Sequence, residues 1–121
     1  MTPSTLRGLE AMSFQQRDQT ASRELGKSIG HTAAGLVRVD LRKVFDGYLY
    51  WSSDALLFIA DNNIFTNVNL LKLEFSDLGL PKSKFVLWNG ELDFGNGKWI
   101  FHGQKRQMKE LEQACLRHAA S

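Results

Sequence analysis

Cysteine is nearly absent: Cys115 is the single one in 121 residues. An internal disulfide is therefore excluded, and a reducing compartment fits. Also missing is any apolar run approaching the roughly 18 residues of a membrane span. The opening MTPSTLRGLEAMSFQQ holds no apolar signal region. These absences predict a cytoplasmic protein, or one exported without a classical signal, with no transmembrane segment. Charge of one sign is scarce too, since 15 basic side chains face 13 acidic ones for a net +2. A dedicated nucleic-acid binder carries far more, so any anion site must come from local clustering.

Catalytic patterns are equally thin. His31, His102 and His118 take no spacing used by nucleophilic triads, and no CxxC or HxxxH occurs. Cys115 and His118, three apart on a helix, share a face but supply two ligands where zinc wants three or four. On the apolar side of that helix, Cys115 reads as a small buried residue rather than a thiolate. The carboxylates Asp40, Asp46, Asp54, Asp61, Glu74, Asp77, Glu91 and Asp93 mostly flank turns, where Asp bonds locally. Gly95-Asn96-Gly97 is a turn with no helix after it to cradle a phosphate. The sequence thus predicts a non-enzymatic protein with no catalytic residue, no metal and no cofactor. A hydrolase built on scattered carboxylates is the alternative.

What is present divides the chain. Of thirteen aromatic residues only Phe14 precedes Phe45. Residues 1–34 form an N-terminal extension, with Ser13 and Gln16 in capping-box form predicting a helix over about 14–27 that ends near Gly26 or Gly30. Its thin stripe of Phe14, Ala21, Leu25 and Ile29 packs on the domain, packs on a partner, or leaves the segment disordered in isolation.

From residue 35 the hydrophobic period becomes two. LVRVDLRKVF reads as one strand over 36–45, with Val37, Val39, Leu41, Lys43 and Phe45 inward. Asp46-Gly47 offers a turn before YLYW, and ALLFIA follows Ser52-Ser53-Asp54. Leu71, Leu73 and Phe75 then alternate with Lys72, Glu74 and Ser76. Residues 78–83 read as a loop. KFVLW and ELDF are joined at Asn89-Gly90, a strong hairpin signal. After KWIFH comes helical spacing, with Met108, Leu111, Cys115 and Ala119 on one stripe. The fold class is therefore α+β. It comprises a strongly bent antiparallel sheet of six to seven strands over residues 35–121, with the C-terminal helix as its lid.

Three stretches carry a family resemblance: GYLYWSSDALLFIADN, VNLLKLEFSDL and ELDFGNGKWIFHG with the helix after it. Over residues 47–119 they resemble GRAM and pleckstrin-homology-like domains in their order of hairpins and capping helix. The resemblance implies a small interaction module. Lipid-binding members carry a basic cluster between their first two strands, and residues 47–60 hold no lysine or arginine.

Two features are candidate binding sites. Lys105, Arg106 and Lys109, with Lys98, Lys82, Lys84, Trp88 and Trp99, form a basic set with aromatics that suits an anionic lipid headgroup or nucleic acid. DNNIFTNVN sets Ile64, Phe65 and Val68 among asparagines, which suits an apolar loop tip in contact with another protein. The leading expectation is a protein-interaction or regulatory module, binding another protein or itself, with a homo-oligomer formed through residues 1–34. The alternative is an anion binder acting through the terminal helix.

Overall fold

The computed structural model describes residues 14–62, 64 and 68–121. Helix α1 (Phe14–Leu25) leads into β1 (Gly30–Arg38), a 3-10 turn (Val39–Leu41) and β2 (Lys43–Trp51). Strands β3 (Ala55–Ala60) and β4 (Leu70–Glu74) follow, then the single-turn α2 (Phe75–Leu78). A second run of strands, β5 (Lys82–Val86), β6 (Asn89–Asp93) and β7 (Ile100–Gln104), ends in α3 (Lys105–Ala120). The seven strands make one antiparallel sheet in the order β4-β3-β2-β1-β7-β6-β5. Its edges, β4 and β5, do not pair, so the sheet is not closed.

The sheet nonetheless curls. Between β3 and β7 lie β2 and β1, which in a flat sheet would hold them about 14 Å apart. The Phe58 and Phe101 rings of those two strands have centroids 5.8 Å apart, and Phe94 meets Phe101 edge-on at 6.2 Å. Side chains from strands so far separated meet only when the sheet bends around them. Leu36, Leu49, Leu56 and Leu92 fill the same concave core.

Helix α3 plugs the concave side. Met108, Leu111, Ala114 and Cys115 are buried against the sheet. Two glycines let it approach: a Cβ at Gly90 would lie 2.8 Å from the Cβ of Met108, and one at Gly103 would lie 2.7 Å from its Sδ. Ala119, expected on the stripe, is exposed because the helix has passed the sheet by that point, and Ala114 takes the inward place.

Helix α1 covers the opposite, convex side. Ala21 packs with Tyr50, Leu57 and Ile59, and Leu25 flanks them. The Tyr50 hydroxyl donates to Asp18 Oδ1 at 2.8 Å, and the Arg17 guanidinium lies 4.0 Å from the centroid of the Tyr48 ring. The helix stops where Gly26 takes φ +73°, as a left-handed C-terminal residue should. Ser13 lies outside the described residues.

Several expectations need correction. The run 36–45 is two strands, not one, because the 3-10 turn breaks it and Arg42 takes φ +54°. Its first half also faces the other way: Leu36 and Arg38 are buried while Val39 and Leu41 are exposed. Phe45, by contrast, packs on the core and Val44 is exposed, as expected. Arg38 is accommodated by a fork onto Asp40, at 2.9 and 2.7 Å, and by the Trp99 ring. Asp46-Gly47 is no turn but mid-strand in β2, where Gly47 pairs with both Ala34 and Ala60. A Cβ there would collide with the Ile59 carbonyl, so glycine serves close approach rather than turning. The division expected at 34/35 falls inside β1, which begins at Gly30.

Candidate binding surface

Strands β5 and β6 pair with Phe85 opposite Gly90 and Val86 opposite Asn89. The two-residue turn between them is therefore Leu87-Trp88, two positions before the expected Asn89-Gly90. The reason is packing. Gly90 is held within β6 by the need to admit Met108, so the glycine that signals a turn in sequence acts as a spacer under a helix.

This shift changes what the hairpin presents. Val86, Leu87 and Trp88 are 52%, 77% and 83% exposed, a contiguous apolar tip projecting from the sheet edge. Leu87 has φ +50°, a left-handed conformation that costs a branched side chain roughly 1–2 kcal/mol. A strained and exposed leucine contributes little to stability on either count.

The tip is locked to the start of α3. The Lys105 amide donates to the Trp88 carbonyl at 2.8 Å, which joins the turn to the first residue of the helix. At about 100° per residue, Lys105, Arg106 and Lys109 share a roughly 100° arc of the helix. That arc lies nearly opposite the buried Met108-Leu111-Cys115 stripe. Lys109 Nζ sits 5.3 Å from the Phe85 ring centroid, which draws its stem along the hairpin. Arg106 Nε stands 3.9 Å from Glu110, a loose exposed pair that leaves the guanidinium available. Between tip and helix runs an open groove of about 820 Å³, lined by Leu87, Trp88, Gln104 and the three basic residues.

Of the basic set expected from sequence, Lys105, Arg106, Lys109 and Trp88 come together, and Lys82 and Lys84 lie along the strand that leads to the tip. Lys98 and Trp99 do not join them. They precede β7, whose far end, Gln104, is the one that pairs beside the tip at Asn89. Trp99 instead lies 4.8 Å from the Arg38 guanidinium. The second expected site comes apart. Ile64 is 7% exposed and belongs to the core, Val68 is exposed, and Phe65 lies outside the described residues. The Ile64 amide donates to the Val68 carbonyl at 2.7 Å. The sequence reading missed Val86 and Leu87, because VLW looks like strand interior until the register is known.

Elsewhere, burial and hydrogen bonding shift three titratable groups. Burial pushes the Cys115 thiol up to about 12, so it is protonated and inert near neutrality. The Arg38 fork holds the Asp40 carboxyl below its usual range. Burial, then the bond to Asp18, raises the Tyr50 hydroxyl. His118 Nδ1 stands 3.5 Å from Asp54 Oδ1, beside a pocket of about 310 Å³ that also touches Arg117 and Ser53. Among the described residues no three His, Cys, Asp or Glu side chains converge as metal ligands, and no helix is long and apolar enough to cross a membrane.

No protein-family model matches the chain, and no curated protein matches its sequence. Among solved structures it is similar to the C-terminal domain of an unknown protein from Leishmania infantum, at 11% identity and a TM-score of 0.56. The match covers 90% of this chain and 100% of that one. At that identity the likeness concerns the fold alone.

Proposed function

We propose that this protein is a non-enzymatic binding module. It docks through the β5–β6 tip and the first turns of α3 onto a partner that offers both an apolar contact and negative charge. One observation carries the reading: Leu87 and Trp88, the two most exposed large apolar side chains among the described residues, sit on the same groove as Lys105, Arg106 and Lys109. Contiguous apolar exposure rimmed by charge marks interaction sites, whereas single exposed apolar residues are ordinary. The fold-level half of the reading is the kinship with GRAM and pleckstrin-homology-like domains, supported by an antiparallel meander followed by a helix that plugs it.

The test exposes the immobilised protein to a native lysate, with bound lipid, nucleic acid and protein each quantified. The comparison is with Trp88→Ala and Lys109→Glu, both checked for folding by near-ultraviolet circular dichroism. Specific retention should fall at least about tenfold in either variant, the worth of roughly 1.4 kcal/mol. Retention equal across all three proteins would place the binding surface elsewhere.

A further inference from the structure

The sheet has two unpaired edges, β4 and β5, and they differ in what they offer a strand from outside. We infer that the β4 edge is a self-association site, at which the β4 strands of two copies pair antiparallel about a two-fold axis beside Leu73. The site is separate from the surface described above, because the tip and the β4 edge lie at opposite ends of the strand order.

Backbone pairing decides which groups are free. The Ala60 amide donates to the Asn69 carbonyl at 2.8 Å, and the Phe75 amide donates to the Asp54 carbonyl at 2.8 Å. Both pairs extend the register in which Phe58 opposes Leu71 and Leu56 opposes Leu73. Hydrogen-bonded and open pairs alternate along an antiparallel ladder. Leu71 and Leu73 therefore turn their amides and carbonyls toward β3, whereas Leu70, Lys72 and Glu74 turn theirs outward. No strand pairs with that outer side. Natural edges are commonly guarded by proline, a bulge or clustered charge. β4 has no proline, and its register runs without a bulge.

Charge separates the two edges. β5 reads KSKFV, with two lysines and no acid, so a second β5 brings only more positive charge. β4 reads LLKLE, with Lys72 and Glu74 both exposed. A two-fold axis that aligns the outward groups can stand beside any residue of β4. Beside Lys72 or Glu74, that residue faces its own copy, like charge on like. Beside Leu70 or Leu71, Lys72 stands opposite an apolar residue. Beside Leu73, each Lys72 stands opposite the partner's Glu74. One patch then supplies two opposite-charge pairs, the self-complementarity a two-fold dimer demands.

The remaining contacts agree. Leu73 meets the partner's Leu73 in an open pair, where opposed side chains come closest, on the face that already packs against the core. Within one chain Lys72 and Glu74 stand 3.9 Å apart, a loose exposed pair that yields readily to a better one. Phe75 meets the His118 ring of α3 edge-on at 5.7 Å, so α2 turns over the concave side after Glu74 and leaves the edge clear of itself. So short a ladder buries less than the roughly 800 Å² per partner of a stable interface, which makes the dimer weak and concentration-dependent. It also carries two copies of the tip surface, whose separate contacts reinforce each other.

The test is sedimentation velocity of the protein over a concentration series. The mass should rise from that of one chain toward that of two. Lys72→Glu and Glu74→Lys lie at exposed positions, and each is checked for folding by circular dichroism. Either alone should weaken association at least about tenfold, since two attractive pairs become two repulsive ones. Mixed in equal amounts, the two variants should associate as well as the unaltered protein, because every opposed pair between them again joins opposite charges. A chain that stays monomeric at every concentration overturns the inference. Association that either variant leaves unchanged overturns it as well, as does a mixture no better than its components.

Discussion

Strands β3 and β6 hold equivalent places, each second from an edge of the sheet, yet their surroundings differ. All six residues of β3 are buried, while β6 alternates buried Gly90 and Leu92 with more exposed neighbours. The difference is a helix. β3 has the concave core on one face and α1 on the other, so ALLFIA is apolar throughout. β6 has α3 on its concave face only, so NGELD alternates. Among the described residues, one wing of the sheet is covered on both sides, and the other keeps an uncovered face and an exposed tip. The wing left open is the one that carries the candidate binding surface.

The sharpest way to break this contrast is to remove the outer helix. Deleting residues 1–27 uncovers Leu57 and Ile59, both essentially inaccessible in the intact fold. At about 1.5–3 kcal/mol for each fully buried aliphatic side chain, urea unfolding should show a loss of about 3–6 kcal/mol, or an insoluble product. A shift of only a degree or two in Tm would make α1 a dispensable arm and erase the contrast.

On the concave side, Leu111→Ala should cost about 2–5 kcal/mol, since Leu111 is completely buried between α3 and the sheet. Lys109→Ala, on the exposed face of the same helix, should change stability by less than about 0.5 kcal/mol. Equal effects would mean that α3 does not plug the core.

A smaller effect tests how α1 is anchored. Asp18→Asn should weaken the bond from Tyr50 and cost about 1 kcal/mol. Because the folded protein raises the Tyr50 hydroxyl above its ordinary value near 10, the neutral form is the one that folding favours. That contribution is complete below about pH 10 and is lost as pH climbs through the higher folded value. Stability measured across alkaline pH should therefore fall, and Tyr50→Phe should flatten that part of the slope.

The smallest change concerns the open wing and has the opposite sign. Leu87→Gly relieves the left-handed strain while giving up an exposed side chain, so it should stabilise the fold by about 0.5–1 kcal/mol. Loss of stability instead would show that Leu87 packs on the hairpin and is not held out for a contact.

How much of this was legible beforehand depended on the kind of signal. ALLFIA and the Met108-Leu111-Cys115 stripe were plain, because burial on one or both faces writes its period directly into the residues. The α1 region was legible as a helix but not as part of the domain. Its apolar stripe is thin, and only the match of Ala21 to Leu57 and Ile59 shows where it goes. Glycines were the main source of error. Gly47 and Gly90 both look like turn residues, and both are mid-strand because a carbonyl or a methionine lies where a Cβ would stand.

The sequence by itself determined the α+β class, the antiparallel pairing through short turns, the closing helix and the basic run at its start. These follow from local period, turn chemistry and composition, which act between neighbours in the chain. Tertiary structure alone decided the register of β5 with β6, the return of β7 to β1 and the convex cover by α1. It thereby set Trp88 beside Lys105 and drew Ile64 into the core. Such contacts join residues far apart in the chain, and no local propensity chooses among them. Close packing of whole elements does, and here the space that Met108 needs over Gly90 fixes which residues stand at the tip.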